Sequence, residues 1–273
     1  MFDDRNEWMT RVARIGYLAK GVVYICVGAF SAMAAVAGRA RASDSRAALE
    51  KISEQPFGRV MLATLAAGLL CFVVWRLIEA IANPGEYRSG FKALVSRVRA
   101  LFSAVIYSGI TLAAVRTLMG GSSGGGGGDR TARDSTAKVM ATPYGSWAVI
   151  LIGLGLIGYG ILQWRRAYRR SYERKLNLAS LSPDQHRWVT RICSFGLAAR
   201  GFVFGIVGVF MIQAGLQSDP GEARGLSGAL NALRGEAYGP VLFAVVALGL
   251  AAYGVYCCVK GRYGQLRTAA PLT

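Results

Sequence analysis

The chain has 273 residues, of which 53% are hydrophobic and only 17% are charged, and its formal net charge is +17. A soluble domain of this size would carry about a quarter charged residues, so the composition excludes an ordinary soluble globular protein. A strongly basic chain could indicate nucleic-acid binding. Here the charges lie between long uncharged blocks, which favours a membrane protein and argues against a nucleic-acid partner.

Six apolar blocks follow one another along the chain, each long enough to cross a bilayer as a helix. They lack the alternating polarity of barrel strands, and proline is nearly absent from their interiors. The predicted fold class is therefore all-α, a polytopic membrane protein with six transmembrane helices. The blocks lie at residues 15–37, 60–80, 100–119, 144–164, 195–216 and 239–259.

The basic residues are distributed unevenly between the two sides of the predicted membrane. When each charge inside a block is counted with its nearest connecting segment, 21 of the 32 Lys and Arg lie on the side of both termini. Because basic segments stay in the cytoplasm, both termini are predicted to be cytoplasmic. The densest basic run, WRRAYRRSYERK at residues 164–175, predicts contact with anionic lipid headgroups, and a membrane protein partner is the alternative.

The first apolar block has a counterpart near the C-terminus. YLAKGVVY at residues 17–24 corresponds to LAARGFVF at residues 197–204, and a weaker match relates the first block to the third. In that middle copy Ser103 replaces the basic residue. The chain is thus predicted to be three tandem helical hairpins, at residues 11–83, 97–168 and 191–262.

The second helix of each unit repeats as well, and the corresponding positions are Gly68 and Phe72, Gly155 and Tyr159, and Gly249 and Tyr253. Because each unit contains an even number of spans, all three insert in the same orientation. The predicted architecture is a six-helix bundle with pseudo-threefold symmetry about an axis along the membrane normal.

The connecting segments on the outer side carry further patterns. SDSRAALEKISEQPFG in the first one, and LSGALNALRGEAYG at residues 226–239 in the third, predict short amphipathic helices at the membrane surface. The Gly/Ser-rich stretch at residues 120–130 predicts a flexible external tether. On the cytoplasmic side, one helical turn is predicted after Ser182 and Pro183. The five cysteines form no C-x-x-C pair and are predicted to be reduced.

Three features together carry a family resemblance: a basic residue and glycine early in an apolar helix, an outer loop with ALEKISEQPFGR, and a second helix that ends near WRLIEA. The chain resembles the bacterial membrane family catalogued as domain of unknown function 1206, whose members carry this unit in three copies. The resemblance implies the fold and a place in the bacterial inner (plasma) membrane. It implies no activity and no site residues.

Catalytic patterns are nearly absent from the sequence. The single histidine, His186, lies in a predicted cytoplasmic loop, and H-E-x-x-H, G-x-S-x-G and Walker motifs are missing. GLGLIG at residues 153–158 matches a dinucleotide motif by letter, but it lies inside a span with no strand before it, which favours helix packing. We therefore expect no enzyme activity, no cofactor and no metal site. Coupled cation transport is disfavoured, because Glu79 is the nearest carboxylate to a span interior.

Three basic residues inside the spans, Lys20, Arg76 and Arg200, are the candidate site residues. In one interpretation they extend to the cytoplasmic headgroups and set helix depth. In the other they converge near the bundle axis and bind an anion or a polar headgroup. A recurring helical stripe beside them predicts close helix packing, with a solute path as the alternative. The stripe consists of Gly21, Tyr24, Gly28, Ala104, Tyr107, Gly201, Phe204 and Gly208.

These patterns leave two functional hypotheses. The first, which the sequence favours, is a structural or interaction bundle with a basic cytoplasmic face and a dry interior. The second is a channel or carrier for an anionic or small polar solute that uses Lys20, Arg200 and Arg76.

Overall fold

A computed structural model describes residues 2–36, 45–54, 57–82, 90–120, 128–178, 181–234 and 239–264. Over these residues the chain forms nine α-helices and two short 3₁₀ turns, and strand-like pairing is limited to one isolated bridge. The helices are α1 (Phe2–Val36), α2 (Ser45–Ser53), α3 (Gly58–Ala82), α4 (Phe91–Leu118), α5 (Gly128–Met140), α6 (Gly145–Tyr168), α7 (Pro183–Gln217), α8 (Leu226–Arg234) and α9 (Gly239–Tyr263).

Six of these helices, α1, α3, α4, α6, α7 and α9, are long and apolar enough to cross a membrane. The predicted all-α fold with six spans is therefore confirmed. Several helices begin well before the apolar blocks: α1 begins at Phe2, α4 at Phe91 and α7 at Pro183. Hydropathy marks only the part that suits lipid, whereas backbone hydrogen bonding continues through polar residues with good helix propensity.

The six long helices pair as hairpin 1 (α1 and α3), hairpin 2 (α4 and α6) and hairpin 3 (α7 and α9). Around the bundle the order of neighbours is α4, α3, α1, α9, α7 and α6. Each hairpin thus contacts the next, as in a ring of three similar units. The two helices within hairpin 1 also contact each other, as do those within hairpin 3, and we call such hairpins closed. In hairpin 2, α4 and α6 make at most a marginal contact along their described residues.

Glycines of the predicted stripe let neighbouring hairpins approach closely. Gly21 and Gly28 face α9, and Gly201 and Gly208 face α6; a Cβ at any of the four would lie 2.4 to 2.7 Å from a neighbouring atom. Residues 201–205 also match the G-x-x-x-G spacing of many membrane helix pairs, but a Cβ at Gly205 would have nothing within 4 Å, so this spacing does not describe the contact. The close approach recurs at a spacing of seven residues instead.

The short helices lie at the end of the bundle opposite the termini. The predicted amphipathic helices are α2 and α8, which bury Leu49 and Leu230 against hairpins 1 and 3. The predicted tether falls largely on residues 121–127, outside the described residues. Its last three residues belong to the first turn of α5, so that part of the prediction is wrong.

The segment between α6 and α7 folds over the other end of the bundle. Tyr172 donates a 2.7 Å hydrogen bond to the Thr190 carbonyl, and Leu176 pairs with Gly264 after α9. Burial raises the pKa of the Tyr172 hydroxyl to about 12, so it stays protonated and able to donate at neutral pH. Ser182 caps α7, so a helix does begin after Ser182 as predicted, but it is not a single turn: the capping box and the proline that follows it begin the long helix α7.

Candidate functional site

Lys20 lies inside the bundle, where aromatic rings surround its side chain. Only 2% of the residue is exposed. Its Nζ atom lies 4.7 Å from the ring centroids of both Phe72 and Tyr107, and 5.7 and 5.9 Å from those of Tyr253 and Tyr24. These distances suit cation–π attraction, which offsets part of the lost hydration. The side chain therefore points into the protein and does not extend to the headgroups.

Arg200 on α7 has a similar environment at the equivalent repeat position. Its Cζ atom lies 4.3 Å from the ring centroid of Tyr253, 5.0 Å from Phe204, 5.7 Å from Tyr24 and 5.8 Å from Tyr159. The guanidinium also donates a hydrogen bond to the Tyr253 hydroxyl. Unlike Lys20, this residue is only partly buried.

The two cations follow one structural rule, because each lies over a ring from the second helix of its own hairpin. Phe72 of α3 takes this role for Lys20, and Tyr253 of α9 takes it for Arg200. Both cations also lie near Tyr24, so they share rings at the interface between hairpins 1 and 3. The repeat therefore brings together two positive charges that are 180 residues apart in sequence.

Arg76 of α3 adds a third cation and brings in a carboxylate. Its Cζ atom lies 4.9 Å from the Phe72 centroid, and its Nη1 atom lies 2.5 Å from Glu79 Oε2. The other Glu79 oxygen is 3.6 Å from Arg99 Nη2 of α4. Glu79 therefore neutralises one charge and links hairpin 1 to hairpin 2.

Lys260 of α9 is the fourth cation. Its Nζ atom lies 4.3 Å from the Tyr17 ring centroid and donates a 2.8 Å hydrogen bond to a Tyr17 hydroxyl oxygen. Tyr17 also faces Arg76 at 5.7 Å. We call the whole set the cation–aromatic cluster; it comprises Lys20, Arg76, Arg200, Lys260, Tyr17, Tyr24, Phe72, Tyr107, Tyr159, Phe204 and Tyr253.

Hairpin 2 contributes rings to this cluster but no cation. Tyr107 of α4 packs edge-on to Phe72 with centroids 4.7 Å apart, and Tyr159 of α6 packs edge-on to Phe204 at 5.1 Å. Ser103 stands where hairpins 1 and 3 have a basic residue. All six long helices thus line the cluster, but hairpins 1 and 3 supply all four of its basic residues.

The positive charge of the cluster exceeds the negative charge near it. Glu79 is the one Asp or Glu within the predicted spans, and it pairs with Arg76. The Nε atoms of Arg76 and Arg200 are buried and have no hydrogen-bond partner among the described residues. Buried donors without a partner cost free energy, and such groups inside a membrane domain are typical of functional sites.

Two other features lie outside the cluster. An apolar groove of about 500 Å³ between α6 and α7 includes Trp164 and Gln213, but none of the four cations lines it. His186 is in the first turn of α7 and is half-buried. Groups of three or more His, Cys, Asp or Glu with metal-site geometry are absent from the described part of the chain, and all five cysteines are free.

The structure brings the three predicted cations, Lys20, Arg76 and Arg200, into one cluster. The predicted stripe divides in two: its glycines pack helices together, whereas Tyr24, Tyr107 and Phe204 face the cations, and Ala104 is buried on α4. The sequence alone did not single out Lys260. Its signal was a lysine two residues after a Cys-Cys pair at the end of the last span, which looks like an ordinary topology anchor.

These features define a polytopic α-helical membrane protein built from three repeats, with a cationic interior. The chain belongs to the family described as Domain of Unknown Function (DUF1206), whose model matches residues 15–83, 98–170 and 195–264. It is similar to the uncharacterized protein YxxB of Bacillus subtilis (strain 168), with 32% identity over 263 residues, 96% of this chain and 94% of the relative. No solved structure matches.

Proposed function

We propose that this protein binds an anionic solute in the cation–aromatic cluster and carries it across the bacterial plasma membrane, without enzymatic chemistry. Both termini face the cytoplasm in this proposal, because the basic excess lies on their side. The observation that carries it is the pair of buried, unpartnered Nε atoms of Arg76 and Arg200 among uncompensated charges.

The electrostatics of the cluster favour an anion over a cation or a neutral solute. Each cation–π contact contributes about 0.5–2 kcal/mol, whereas a charge at the bilayer centre costs about 2.5–3.5 kcal/mol on insertion scales. Four ring contacts at Lys20 and four at Arg200 are therefore of the same order as this penalty, but the rings carry no net charge and leave the positive charge of the cluster uncompensated. An anion bound among these cations would supply the missing counter-charge. It would also accept hydrogen bonds from the unpartnered Nε atoms of Arg76 and Arg200.

The arrangement of the helices also supports transport. Lys20, Arg76, Arg200 and Lys260 come from α1, α3, α7 and α9, so an anion bound among them would contact hairpins 1 and 3 at once. Movement of one hairpin relative to the others would then change access to the site. Repeat-built transporters place their sites at such repeat interfaces.

A structural or interaction bundle with a basic cytoplasmic face is the second candidate. The enclosure of Lys20, which is 2% exposed and lies near four rings, favours it. In this function the cations would only hold the hairpins together through ring contacts, and solutes would not reach them. The two candidates differ in one measurable property, which is anion binding.

Thermal unfolding of the purified protein in a neutral detergent tests the proposal. Inorganic phosphate is titrated at constant ionic strength. Binding to the folded state should raise stability by about 2.7 kcal/mol at a concentration about 100 times Kd, which corresponds to a shift of several degrees. The double variant Lys20→Met and Arg200→Met should lose this shift.

The matched control is Arg169→Gln with Arg174→Gln, which removes the same charge from two exposed positions. Its phosphate shift should equal that of the wild type. An equal shift in the wild type and in the Lys20/Arg200 variant would contradict the proposal, because phosphate would then bind elsewhere.

Uptake of labelled phosphate into proteoliposomes tests the transport step. The double variant Lys20→Ala with Arg200→Ala should show no uptake. Uptake at the wild-type rate by a double variant that has inserted into the membrane would contradict a carrier role.

A further inference from the structure

The ring of helices is interrupted between α4 and α6, and two substitutions explain why. In hairpin 1, Gly16 lies so close to α3 that a Cβ there would be 2.5 Å from Phe72 Cα, and Ala19 packs on Gly68. The corresponding residues of hairpin 2 are Arg99 and Phe102. Large side chains at these positions do not allow the close helix approach that Gly16 and Ala19 allow in hairpin 1.

The two helices of hairpin 3 pack as closely as those of hairpin 1, which indicates that close packing within a hairpin is a property of the repeat. A Cβ at Gly196 would lie 2.3 Å from Tyr253 N, and a Cβ at Gly249 would lie 2.1 Å from Ala199 Cβ. At Gly155, the equivalent position in hairpin 2, nothing lies within 4 Å. The opening is therefore specific to hairpin 2.

The exposed face at this opening leads to the cluster. On α6, Ile152 and Leu162 are 45% and 48% exposed and lie on the same helix face as Tyr159, whose ring faces Arg200. The equivalent positions of α3, Leu65 and Trp75, are 7% and 4% exposed. A solute between α4 and α6 would thus meet apolar side chains first and the cluster next.

Positive charge lies at one end of the same opening. The Arg99 side chain is 40% exposed, and its Nε atom is buried without a hydrogen-bond partner among the described residues. Arg200 lies further in, behind Tyr159. Apolar walls that end at guanidinium groups are complementary to an amphiphile with an anionic head.

We propose that an anionic phospholipid of the surrounding bilayer enters the opening between α4 and α6, with its phosphate at Arg99 and Arg200 and an acyl chain along α6. This inference rests on the proposed function and names its substrate class: the anion is carried on an amphiphile and reaches the cluster sideways from the membrane. A second copy of the chain seated in the opening is the outcome that the test must separate.

Photo-crosslinking in vesicles of phosphatidylcholine and phosphatidylglycerol tests this proposal. Benzoylphenylalanine replaces Leu162 at the opening or, as a control, Leu248, a 56% exposed position on α9 of the closed hairpin 3. Mass spectrometry identifies the captured lipid. At position 162 the ratio of captured phosphatidylglycerol to captured phosphatidylcholine should be roughly tenfold above their ratio in the vesicle, as expected for two cations near the headgroup. Position 248 should capture both lipids at their mole fractions.

Charge variants decide whether the headgroup reaches the cluster. Arg99→Gln and Arg200→Gln should each reduce the enrichment at position 162, and if one of them fails to insert, the other still decides. Capture of both lipids at their mole fractions, an enrichment unaffected by the variants, or crosslinking to a second protein copy would each overturn the proposal. Failure here together with a phosphate shift that depends on Lys20 and Arg200 would reject only the lipid route. A wild-type protein that shows no phosphate shift, or a shift that the Lys20/Arg200 variant keeps, would reject the anion site itself.

Discussion

Hairpins 1 and 2 are copies of one unit, yet they differ in closure and in charge. Hairpin 1 packs tightly through Gly16 and Ala19 and encloses Lys20, whereas hairpin 2 has Arg99, Phe102 and Ser103 in the corresponding places. Its two helices are held by their neighbours instead of by each other. The repeat thus determines the ring of helices, and at one interface, where a few residues differ, the two helices of the hairpin do not pack closely.

The ion pair that joins these two hairpins should give the largest effect. Glu79→Gln would leave the buried Arg76, and Arg99 beside it, without their carboxylate. Breaking a buried pair by removing one partner costs about 3–5 kcal/mol, so thermal unfolding in detergent should show a large loss of stability. The control is Asp184→Asn, which removes an exposed pair to Arg187 at 4.0 Å and should change stability little. A small effect of Glu79→Gln would mean that the hairpins are joined by other contacts.

Glycine-to-alanine substitutions at equivalent positions of hairpins 1 and 2 should have different effects on stability, because only hairpin 1 packs closely at this position. Gly68→Ala would place its Cβ 2.5 Å from Ala19 Cβ and should cost about 1–3 kcal/mol through overpacking. Gly155→Ala should be neutral or slightly stabilising, since its site is empty and alanine favours helix. Unfolding curves of the two variants measure the difference. Equal losses would show that α4 and α6 are in contact in the folded protein.

The attachment of hairpin 2 to hairpin 3 should give the smallest effect. Tyr172→Phe removes the 2.7 Å hydrogen bond to the Thr190 carbonyl and a 2.7 Å bond with Ser194 Oγ, at a net cost of about 1 kcal/mol. Tyr168→Phe is the control, because Tyr168 is 90% exposed. Hydrogen exchange of the segment at residues 169–178 should rise in the first variant only. Unchanged exchange in Tyr172→Phe would show that other contacts hold this segment.

Much of this fold was predictable from the sequence. Spans follow from hydropathy, because lipid excludes charge over a fixed thickness, and the repeat follows from matched residues such as Lys20-Gly21 and Arg200-Gly201. Helix ends were less predictable. Polar residues continue α1 and α7 beyond the lipid, and no hydropathy signal marks where they stop.

The candidate site was only half predictable. Lys20, Arg76 and Arg200 stand out as charges in apolar segments, but a sequence does not say whether such a side chain points outward or inward. That orientation depends on rings contributed by other helices, such as Phe72 and Tyr107, which look like ordinary apolar residues in their own spans. The open interface between α4 and α6 was also not predictable from the sequence. It depends on how Arg99 and Phe102 of α4 pack relative to α6, a helix that is distant in sequence.

A cryo-electron microscopy map of the protein in nanodiscs that contain phosphatidylglycerol would test most directly whether the cation–aromatic cluster binds an anion. We expect density for a phosphate group in contact with the Arg200 guanidinium, and weaker or missing density in the variant Lys20→Met with Arg200→Met. A well-resolved map in which Lys20, Arg200 and the surrounding rings fill the interior by themselves would contradict an anion site and leave the structural bundle as the better account.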